Sequence, residues 1–554
     1  MSTVIPARSA SDGLAVGEPV VLTTAVVADD ATVTLSFAEA ASLTARHFDT
    51  LAESAAVDGR DDEAEVLDAY GMIALDPALA AAVHNELDGG ALPVAAVRTA
   101  IDEVAATFRA MADEYLAQRG DDVEAVGREL IATLTGTTGA GATIPDGAIV
   151  CAGDLSPADT VRLALQRVGG IATERGGPTS HTAIVARSLG IPAVVGATGL
   201  LDALAGAELV LIDGGRGELI VDPGVELLRD AELRMGTAKE LAVEHRRLRG
   251  RQVTFDGTRI LVAGNVGAPH DLEAAVATAA DGIGLFRSEF LFLEREHAPS
   301  IEEQRAAYAA AVDAFEDPTV VRTLDIGGDK DVPYLDLPSE ENPFLGVRGL
   351  RLCLRMPQLF DAQLDALVQV SSDGRLRVMF PMVASVADLD AGLAHLRARA
   401  ELAGAPPPAP GIMIETPASA LLAGHLAKRC TFFSIGTNDL TQYVLAADRG
   451  LGSLGAYQDP AQPAVLRLIA MTCDAARQAG IPVAVCGEAA SDPATAALLL
   501  GMGVEELSVA PSLVDRTRWL VTQLDPVATR AATSEALAAS DADAVRAIAA
   551  GVLP

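Results

Sequence analysis

The chain has 554 residues, half of them hydrophobic, and a formal net charge of −35. Its length allows more than one domain, and so acidic a protein repels nucleic acids and anionic membranes. The charge favours a basic protein partner, although simple solubility or an acidic proteome explains it equally well. Its five cysteines contain no CxxC pair, which argues against disulfides or a zinc site and predicts a cytoplasmic protein. We expect no signal peptide and no membrane span of about 18–20 apolar residues.

Short strands separated by turns occupy the first 28 residues. From about residue 34 to 136, apolar residues recur at three- and four-residue spacings, which predicts helices. Pro77 and the pair Gly89-Gly90 separate some of them. The predicted helices cover residues 37–56, 62–73, 77–88, 93–118 and 121–136. This region is therefore predicted to be a bundle of about four helices.

Strand and helix patterns alternate after residue 140. The predicted strands cover residues 146–151, 169–173, 193–195, 209–213 and 218–222. The helical bundle is therefore expected to be an insertion between an N-terminal strand piece and an α/β domain. A charged amphipathic helix from about residue 224 to 250 follows and is predicted to be a rigid connector between domains, with a plain solvated helix as the alternative.

Residues 176–187 place His181 between a glycine- and proline-containing turn and an apolar helical pattern. A histidine at a helix start lies near backbone N–H groups that favour a developing phosphoryl charge, and imidazole is a good nucleophile near neutral pH. A threonine or serine that caps the helix, followed by a surface histidine, is the alternative. The segment resembles the phosphohistidine segment shared by enzyme I of the sugar phosphotransferase system, phosphoenolpyruvate synthase and pyruvate phosphate dikinase. Thr182 is closer to enzyme I.

Eight strand patterns, each followed by a helical pattern, occupy the chain after residue 250. This repetition predicts a C-terminal TIM (β/α)8 barrel over residues 251–554. An open doubly wound sheet is the alternative, although no GxGxxG sequence opens a helix here. The predicted strands are residues 260–263, 282–286, 320–324, 345–348, 376–380, 411–415, 432–435 and 482–486.

Polar side chains follow nearly every predicted barrel strand, at the end where TIM barrels carry their active sites. Four of them are arginines, which would repel one another unless anions bind between them. A phosphate together with a carboxylate would serve, because the guanidinium fork binds both. These arginines are Arg287, Arg322, Arg348 and, further along the chain, Arg449.

Two carboxylates, Glu415 and Asp439, end neighbouring predicted strands. Hard oxygen ligands beside a phosphate site suit Mg²⁺, which takes one or two carboxylates together with waters and substrate oxygens. The alternative is a pair of structural carboxylates bound to the arginines. Cys486 ends the eighth predicted strand, where it could donate a proton to carbon, although most buried cysteines are packing residues.

The longer segments around these residues closely resemble enzyme I, the phosphoenolpyruvate–protein phosphotransferase family. They are residues 281–292, 322–330, 341–348, 434–443 and 486–488. The resemblance implies an α/β multidomain protein whose phosphohistidine α/β domain carries an inserted helical domain that binds the carrier protein HPr. A linker helix and a phosphoenolpyruvate-binding TIM barrel, which also forms a homodimer, would follow. The implied boundaries are residues 1–28 with 140–223, 29–139, 224–250 and 251–554.

The resemblance also implies a role for each matching residue. His181 would take the phosphoryl group on Nε2, and Cys486 would protonate the enolate carbon to give pyruvate. Glu415 and Asp439 would hold Mg²⁺. The substrate-binding residues would be Arg287, Arg322, Asn438, Asp439 and Arg449, with Arg348 and Lys330 close by.

The implied activity is transfer of the phosphoryl group of phosphoenolpyruvate to His181 and then to HPr. Because His181 lies outside the predicted barrel, its domain would have to swing over the barrel mouth. An ATP-dependent phosphoenolpyruvate synthase or dikinase is one alternative, but it should carry a large nucleotide-binding domain and a glycine-rich phosphate loop ahead of the histidine. A regulatory, non-catalytic phosphoacceptor protein is the other.

Overall fold

The computed structural model describes residues 3–554 except 23–26, 58–60, 110–113, 137–143, 156–158, 160–162, 164–165, 178–180, 294, 328–331, 333, 336, 338–339, 371–373 and 449–451. The chain divides into two compact units, Met1–Glu240 and Leu241–Pro554, with the boundary inside one long helix. Each unit has hydrophobic cores of its own.

The predicted helical bundle is present in the first unit. Its apolar faces meet in one core, in which Phe48, Leu67, Tyr70 and Leu130 are almost fully buried. The helices are α1 (Phe37–Val57), α2 (Asp61–Ala74), α3 (Pro77–Asp88), α4 (Pro93–Arg109) and α5 (Glu114–Thr135).

The break between the last two helices was predicted in the wrong place. Helix α4 ends at Arg109 rather than at residue 118, and α5 begins at Glu114. Gly120, beside the predicted break, lies inside α5. A Cβ there would be 2.8 Å from the Arg109 Cγ and 2.9 Å from the Ala105 carbonyl oxygen, so this glycine lets α4 and α5 approach closely.

One stretch in the described part of the chain, Val66–Asp88, has the length and hydropathy of a membrane span, contrary to our expectation. It comprises most of α2 and all of α3, which are separated at Leu75 and Asp76. Leu67, Leu79 and Val83 are at most 2% exposed in the core of the bundle. Helices packed in the core of a folded domain meet the same criteria, so the stretch is weak evidence for a span.

Two sheets form the α/β part of the first unit. One is antiparallel, in the order β1-β9-β8-β3; the other has the order β2-β7-β6-β5-β4, with β4 to β7 parallel. Both contain strands from the N-terminus and from beyond residue 140, as predicted. The strands are β1 (Thr3–Pro6), β2 (Arg8–Ser11), β3 (Leu14–Gly17), β4 (Pro19–Leu22), β5 (Ile149–Ala152), β6 (Gly170–Thr173), β7 (Ala193–Val195), β8 (Val210–Asp213) and β9 (Glu218–Val221).

After the bundle, the described residues of this half include the helices α6 (His181–Leu189), α7 (Leu200–Ala203) and α8 (Val225–Arg247). Helix α6 lies between the parallel neighbours β6 and β7, so it forms part of a βαβ crossover. Helix α8 corresponds to the predicted connector, and its last turn carries His245, Arg246 and Arg247.

The second unit contains a closed barrel of eight parallel strands. Strand β11 pairs with both β12 and β18 and so closes the sheet, while β10 (Val253–Phe255) forms an antiparallel hairpin with β11. The barrel strands are β11 (Thr258–Val266), β12 (Ile283–Arg287), β13 (Thr319–Arg322), β14 (Leu376–Phe380), β15 (Ala409–Ile414), β16 (Phe432–Ile435), β17 (Val483–Val485) and β18 (Glu506–Val509).

Side chains alternate between the two faces of the barrel strands. One small cluster, Leu285, Val320, Met379, Met413, Phe432 and Cys486, is separate from the large core formed with the surrounding helices. These helices are α9 (Pro269–Ala277), α10 (Ile301–Asp313), α11 (Leu350–Arg355), α12 (Pro357–Val370), α13 (Val386–Ala403), α14 (Pro417–Leu421), α15 (Ala423–Leu426), α16 (Thr437–Leu445), α17 (Pro463–Ala479), α18 (Pro493–Met502), α19 (Val514–Gln523), α20 (Pro526–Ala538) and α21 (Ala542–Ala550).

The predicted number of barrel strands, eight, is correct, but one predicted strand is not a strand and one true strand was missed. Residues 345–348 are not a strand, since a 3₁₀ turn covers Pro343–Leu345 and a loop leads to α11. The true eighth strand, β18, was missed because its first residue is a glutamate, a residue that is depleted in strands. Cys486 therefore follows the seventh barrel strand, not the eighth.

Candidate active site

The barrel has a cavity of about 450 Å³ at the carboxyl ends of its strands, which we call the mouth cavity. Seven of the ten residues singled out from the sequence line it. They are Arg287, Arg322, Arg348, Glu415, Asn438, Asp439 and Cys486, and they are joined there by Glu289, Asp325, Gly487 and Glu488. The rule that active sites lie at strand ends therefore located this site from the sequence.

A continuous chain of buried ion pairs crosses the cavity. Arg322 lies 3.0 Å from Glu289 through Nη2 and 3.0 Å from Asp325 through Nη1. Arg348 continues the chain, with its Nη2 2.9 Å from Asp325 and its Nη1 3.2 Å from Asp439. Burial would lower the pKa of both arginines, but the neighbouring carboxylates outweigh it and raise the pKa, so both stay charged.

These ion pairs correct one expectation drawn from the sequence. We expected the arginines to need anions supplied by a ligand, but protein carboxylates provide part of that charge. Arg287 differs, because it is exposed at the end of β12 and pairs with no carboxylate of the described chain. Its guanidinium is therefore open to a bound anion.

Glu415 follows β15 and is fully buried. Its Oε1 accepts the backbone N–H of Met382 at 2.5 Å, whereas its Oε2 is buried without a hydrogen-bond partner among the described residues. Burial, reinforced by Asp325 and Asp439, raises the pKa of Glu415 to about 8. The group therefore keeps its proton at neutral pH, and a cation bound at the unpartnered oxygen would replace that proton.

The oxygen ligands at the mouth cavity fit Mg²⁺. No group of three or more His, Cys, Asp or Glu side chains in the described chain is arranged as a complete metal site. Mg²⁺ does not require one, because it is commonly held by one or two carboxylates together with waters and substrate phosphate. The free oxygen of Glu415, with Asp439 lining the same cavity, fits that pattern.

Cys486 lines the mouth cavity and is 4% exposed. Burial raises the pKa of its thiol to about 11, so the group carries its proton at neutral pH. Its Sγ donates to the Ile435 carbonyl oxygen at 3.7 Å. A protonated thiol at this position is able to act as a proton donor.

The turn that follows Cys486 is hydrogen-bonded to the first turn of α16. The Glu488 backbone N–H donates to Asn438 Oδ1 at 2.9 Å, and Asn438 Nδ2 lies 3.4 Å from Glu488 Oε1. The sequence marked Glu488 only as a polar residue at a strand end. Its contact with Asn438 could not be read from the spacing, because the two residues lie 50 positions apart.

The side chains of three predicted site residues lie outside the described part of the chain. Lys330 and Arg449 lie outside the described residues, as does the His181 side chain. The backbone of His181 is described, and His181 is the first residue of α6. This matches the expectation that the histidine stands at a helix start, where backbone N–H groups are free to bind an anion.

Three family models of phosphoenolpyruvate-utilising enzymes match the chain: the N-terminal domain over residues 7–119, the mobile domain over residues 144–217 and the PEP-binding domain over residues 242–526. A phosphoenolpyruvate-protein phosphotransferase of Listeria innocua is 37% identical, over 98% of this chain and 98% of its own length. That of Staphylococcus carnosus is 39% identical, over 84% of this chain and 83% of its own.

A longer relative and a solved structure are also similar. The multiphosphoryl transfer protein of Xanthomonas campestris is 45% identical over 81% of this chain, which corresponds to 54% of its own length. The NMR solution structure of Enzyme I (nEIt) is 29% identical and covers 42% of this chain and 99% of that chain, with a TM-score of 0.35.

Proposed function

The chain belongs to the family of phosphoenolpyruvate-protein phosphotransferases, and on this premise we propose that it carries out the family's reaction with His181 and the residues of the mouth cavity. The phosphoryl group of phosphoenolpyruvate passes to His181 and then to the histidine of HPr, as the first step of the sugar phosphotransferase system. The observation that carries the proposal is the convergence of Arg287, Glu415, Asn438 and Cys486 on one cavity.

Substrate binding depends on the cations of the mouth cavity. Phosphoenolpyruvate carries a carboxylate and a phosphate, both of which suit guanidinium groups. We assign Arg287 to direct contact with the substrate, because its guanidinium is exposed and has no carboxylate partner in the described chain. The ion-pair chain fixes Arg322 and Arg348 before the substrate arrives, so little reorganisation is needed on binding.

The described side chains of the cavity contain more acids than bases. Three arginines face five carboxyl groups: Glu289, Asp325, Glu415, Asp439 and Glu488. A multiply charged anion therefore needs further cations, and we propose Lys330, Arg449 and Mg²⁺ as their sources. Glu415 and Asp439 would hold the ion, which supplies positive charge that neutralises the phosphate.

In the transfer step the bond between phosphorus and the enol oxygen breaks, and a bond forms between phosphorus and Nε2 of His181. The transfer requires the imidazole to approach in line with the leaving oxygen, while the arginines stabilise the charge on the phosphoryl group. The enolate left behind takes a proton at carbon from the Cys486 thiol, which gives pyruvate. The thiolate then recovers a proton from solvent.

The remaining parts of the chain receive roles in the same scheme. Residues 1–28 and 140–223 form the phosphohistidine domain, residues 29–139 bind HPr, residues 224–250 are the linker, and residues 251–554 bind phosphoenolpyruvate and form a homodimer. The acidic surface would attract a basic carrier. We place the protein in the cytoplasm.

The proposal is tested by mixing the purified chain with Mg²⁺ and either phosphoenolpyruvate or ATP. We expect phosphoenolpyruvate alone to release pyruvate in an amount equal to the enzyme, followed by continued release when HPr is added. Phosphorylation that needs ATP would contradict the proposal and favour a synthase or dikinase. The absence of pyruvate from both mixtures would contradict it as well.

A further inference from the structure

Both the backbone and the side chain of Glu488 contact the amide of Asn438. The Glu488 N–H donates to Oδ1 at 2.9 Å, and the Glu488 carboxylate lies 3.4 Å from Nδ2 as its acceptor. The amide oxygen is therefore occupied on the side of the turn. The second N–H of Nδ2 remains available as a donor to a ligand in the mouth cavity, which Asn438 lines.

The turn is held unusually close to α16. A Cβ on Gly487 would lie 2.0 Å from Thr437 Oγ1, 2.7 Å from the Thr437 nitrogen and 2.9 Å from Asn438 Oδ1. The backbone of Gly487 is extended, with φ −92° and ψ −176°, so space rather than conformation requires a glycine. This close approach brings the Glu488 N–H to the amide oxygen.

We propose that Glu488 is a positioning residue that makes Asn438 present an N–H donor to the bound substrate. This inference rests on the proposed function. A carboxylate accepts a hydrogen bond from the amide nitrogen but repels the amide oxygen, so it favours one of the two orientations of the amide. The opposite orientation would turn the oxygen of Asn438 towards a phosphate or carboxylate and weaken binding of an anion.

Glu488 is suited to this role rather than to a role in stability. Its side chain is exposed, and it makes no ion pair with a described residue. Truncating it should leave the fold intact, because exposed side chains without special contacts contribute little to stability. Its carboxyl group also lines the mouth cavity, so Glu488→Gln, which removes the charge but keeps an acceptor, separates the effect of charge from the contact with Asn438.

The test uses the full-length chain and measures pyruvate release with varied phosphoenolpyruvate. We expect Glu488→Ala to raise KM for phosphoenolpyruvate about tenfold with little change in kcat, whereas Glu488→Gln, which keeps an acceptor, stays within about twofold of the unaltered chain. In a chain that already carries Asn438→Ala, Glu488→Ala should have no further effect, because the two residues act as one unit. Glu316→Ala, which removes an exposed glutamate in the loop before β13, serves as the control.

Two results would overturn the positioning role. One is an unchanged KM in Glu488→Ala; the other is an increase in KM on Glu488→Ala that is as large in the Asn438→Ala chain as in the unaltered chain. Thermal unfolding of each variant checks that the fold is retained. If the unaltered chain releases no pyruvate from phosphoenolpyruvate, the proposed function itself fails. The two failures are therefore distinguishable.

Discussion

Glu415 accepts the backbone N–H of Met382 with one carboxylate oxygen, at 2.5 Å, and keeps its other oxygen without a partner in the described chain. Met382 follows β14 in a left-handed conformation, with φ 57°, which non-glycine residues rarely adopt and which costs about 1–3 kcal/mol. The strained peptide therefore holds one oxygen of Glu415 in place. The second oxygen is left available in the mouth cavity.

Replacing Glu415 by glutamine should separate metal binding from folding. The amide oxygen of glutamine can still accept the Met382 N–H, so we expect the fold to be retained. A neutral amide is a poor ligand for Mg²⁺, so the Mg²⁺ concentration for half-maximal pyruvate release should rise at least about tenfold. Glu506→Gln, which changes a buried glutamate at the other end of the barrel, is the matched control. An unchanged Mg²⁺ dependence would remove Glu415 from the metal site.

Asp325 joins the two buried arginines, so Asp325→Asn should destabilise the barrel strongly. The change leaves Arg322 and Arg348 short of a carboxylate in a buried place, and we expect a loss of about 3–5 kcal/mol in the free energy of unfolding. Asp317→Asn breaks a partly exposed pair with Arg259 and should cost about 1 kcal/mol or less. Urea unfolding of both variants measures the difference. Equal losses of unfolding free energy in the two variants would mean that the buried ion pairs stabilise the barrel no more than the partly exposed pair does.

Cys486→Ala should slow pyruvate formation more than it weakens phosphate binding. Loss of a general acid commonly lowers turnover by about 10²–10⁴-fold, while the arginines that bind the substrate are untouched. Steady-state pyruvate release and direct binding of a non-reactive substrate analogue report the two quantities separately. Cys473→Ala, at a buried cysteine on α17, should leave both unchanged. Unaltered pyruvate formation in Cys486→Ala would take the thiol out of the reaction.

Glu506 should make stability depend on pH. Burial raises the pKa of this carboxyl from 4.5 to about 7. Between these two values the folded chain keeps a proton that the unfolded chain has released, so this residue's contribution lowers stability as pH rises from about 4.5 to 7 and stays constant above.

Glu506→Gln removes this contribution. The free energy of unfolding of the variant, minus that of the unaltered chain, should therefore increase by up to about 3 kcal/mol between pH 5 and pH 8. Urea unfolding at the two pH values measures it. A difference that does not change with pH would show that Glu506 is not protonated in the folded chain.

The sequence predicted the barrel and most of its site because both depend on local patterns. Apolar strands followed by polar residues are visible in the order of the residues, and parallel strands bring their carboxyl ends to one face. The strand that begins at Glu506 was missed because the sequence does not show whether a glutamate is buried or exposed. The position of the break between α4 and α5 was missed because close helix packing at Gly120 depends on Ala105 and Arg109, which are distant in the sequence.

The pairing of charges could not be predicted in the same way. Whether Asp325 contacts Arg322, Arg348 or a ligand depends on side-chain directions that spacing does not encode. The contact between Gly487 and Thr437 likewise joins residues 50 positions apart, and only the folded chain brings them together.

The central assignment is the phosphoryl acceptor, and His181→Ala tests it most directly. Each chain is incubated with Mg²⁺ and phosphoenolpyruvate labelled in its phosphate, and the labelled peptide is identified. We expect acid-labile label on the peptide that contains His181, full loss of the label in His181→Ala with an unchanged thermal transition of the barrel, and normal labelling in His84→Ala, which alters an exposed histidine on α3. Label that persists in His181→Ala, or that passes from this variant to HPr, would contradict the assignment.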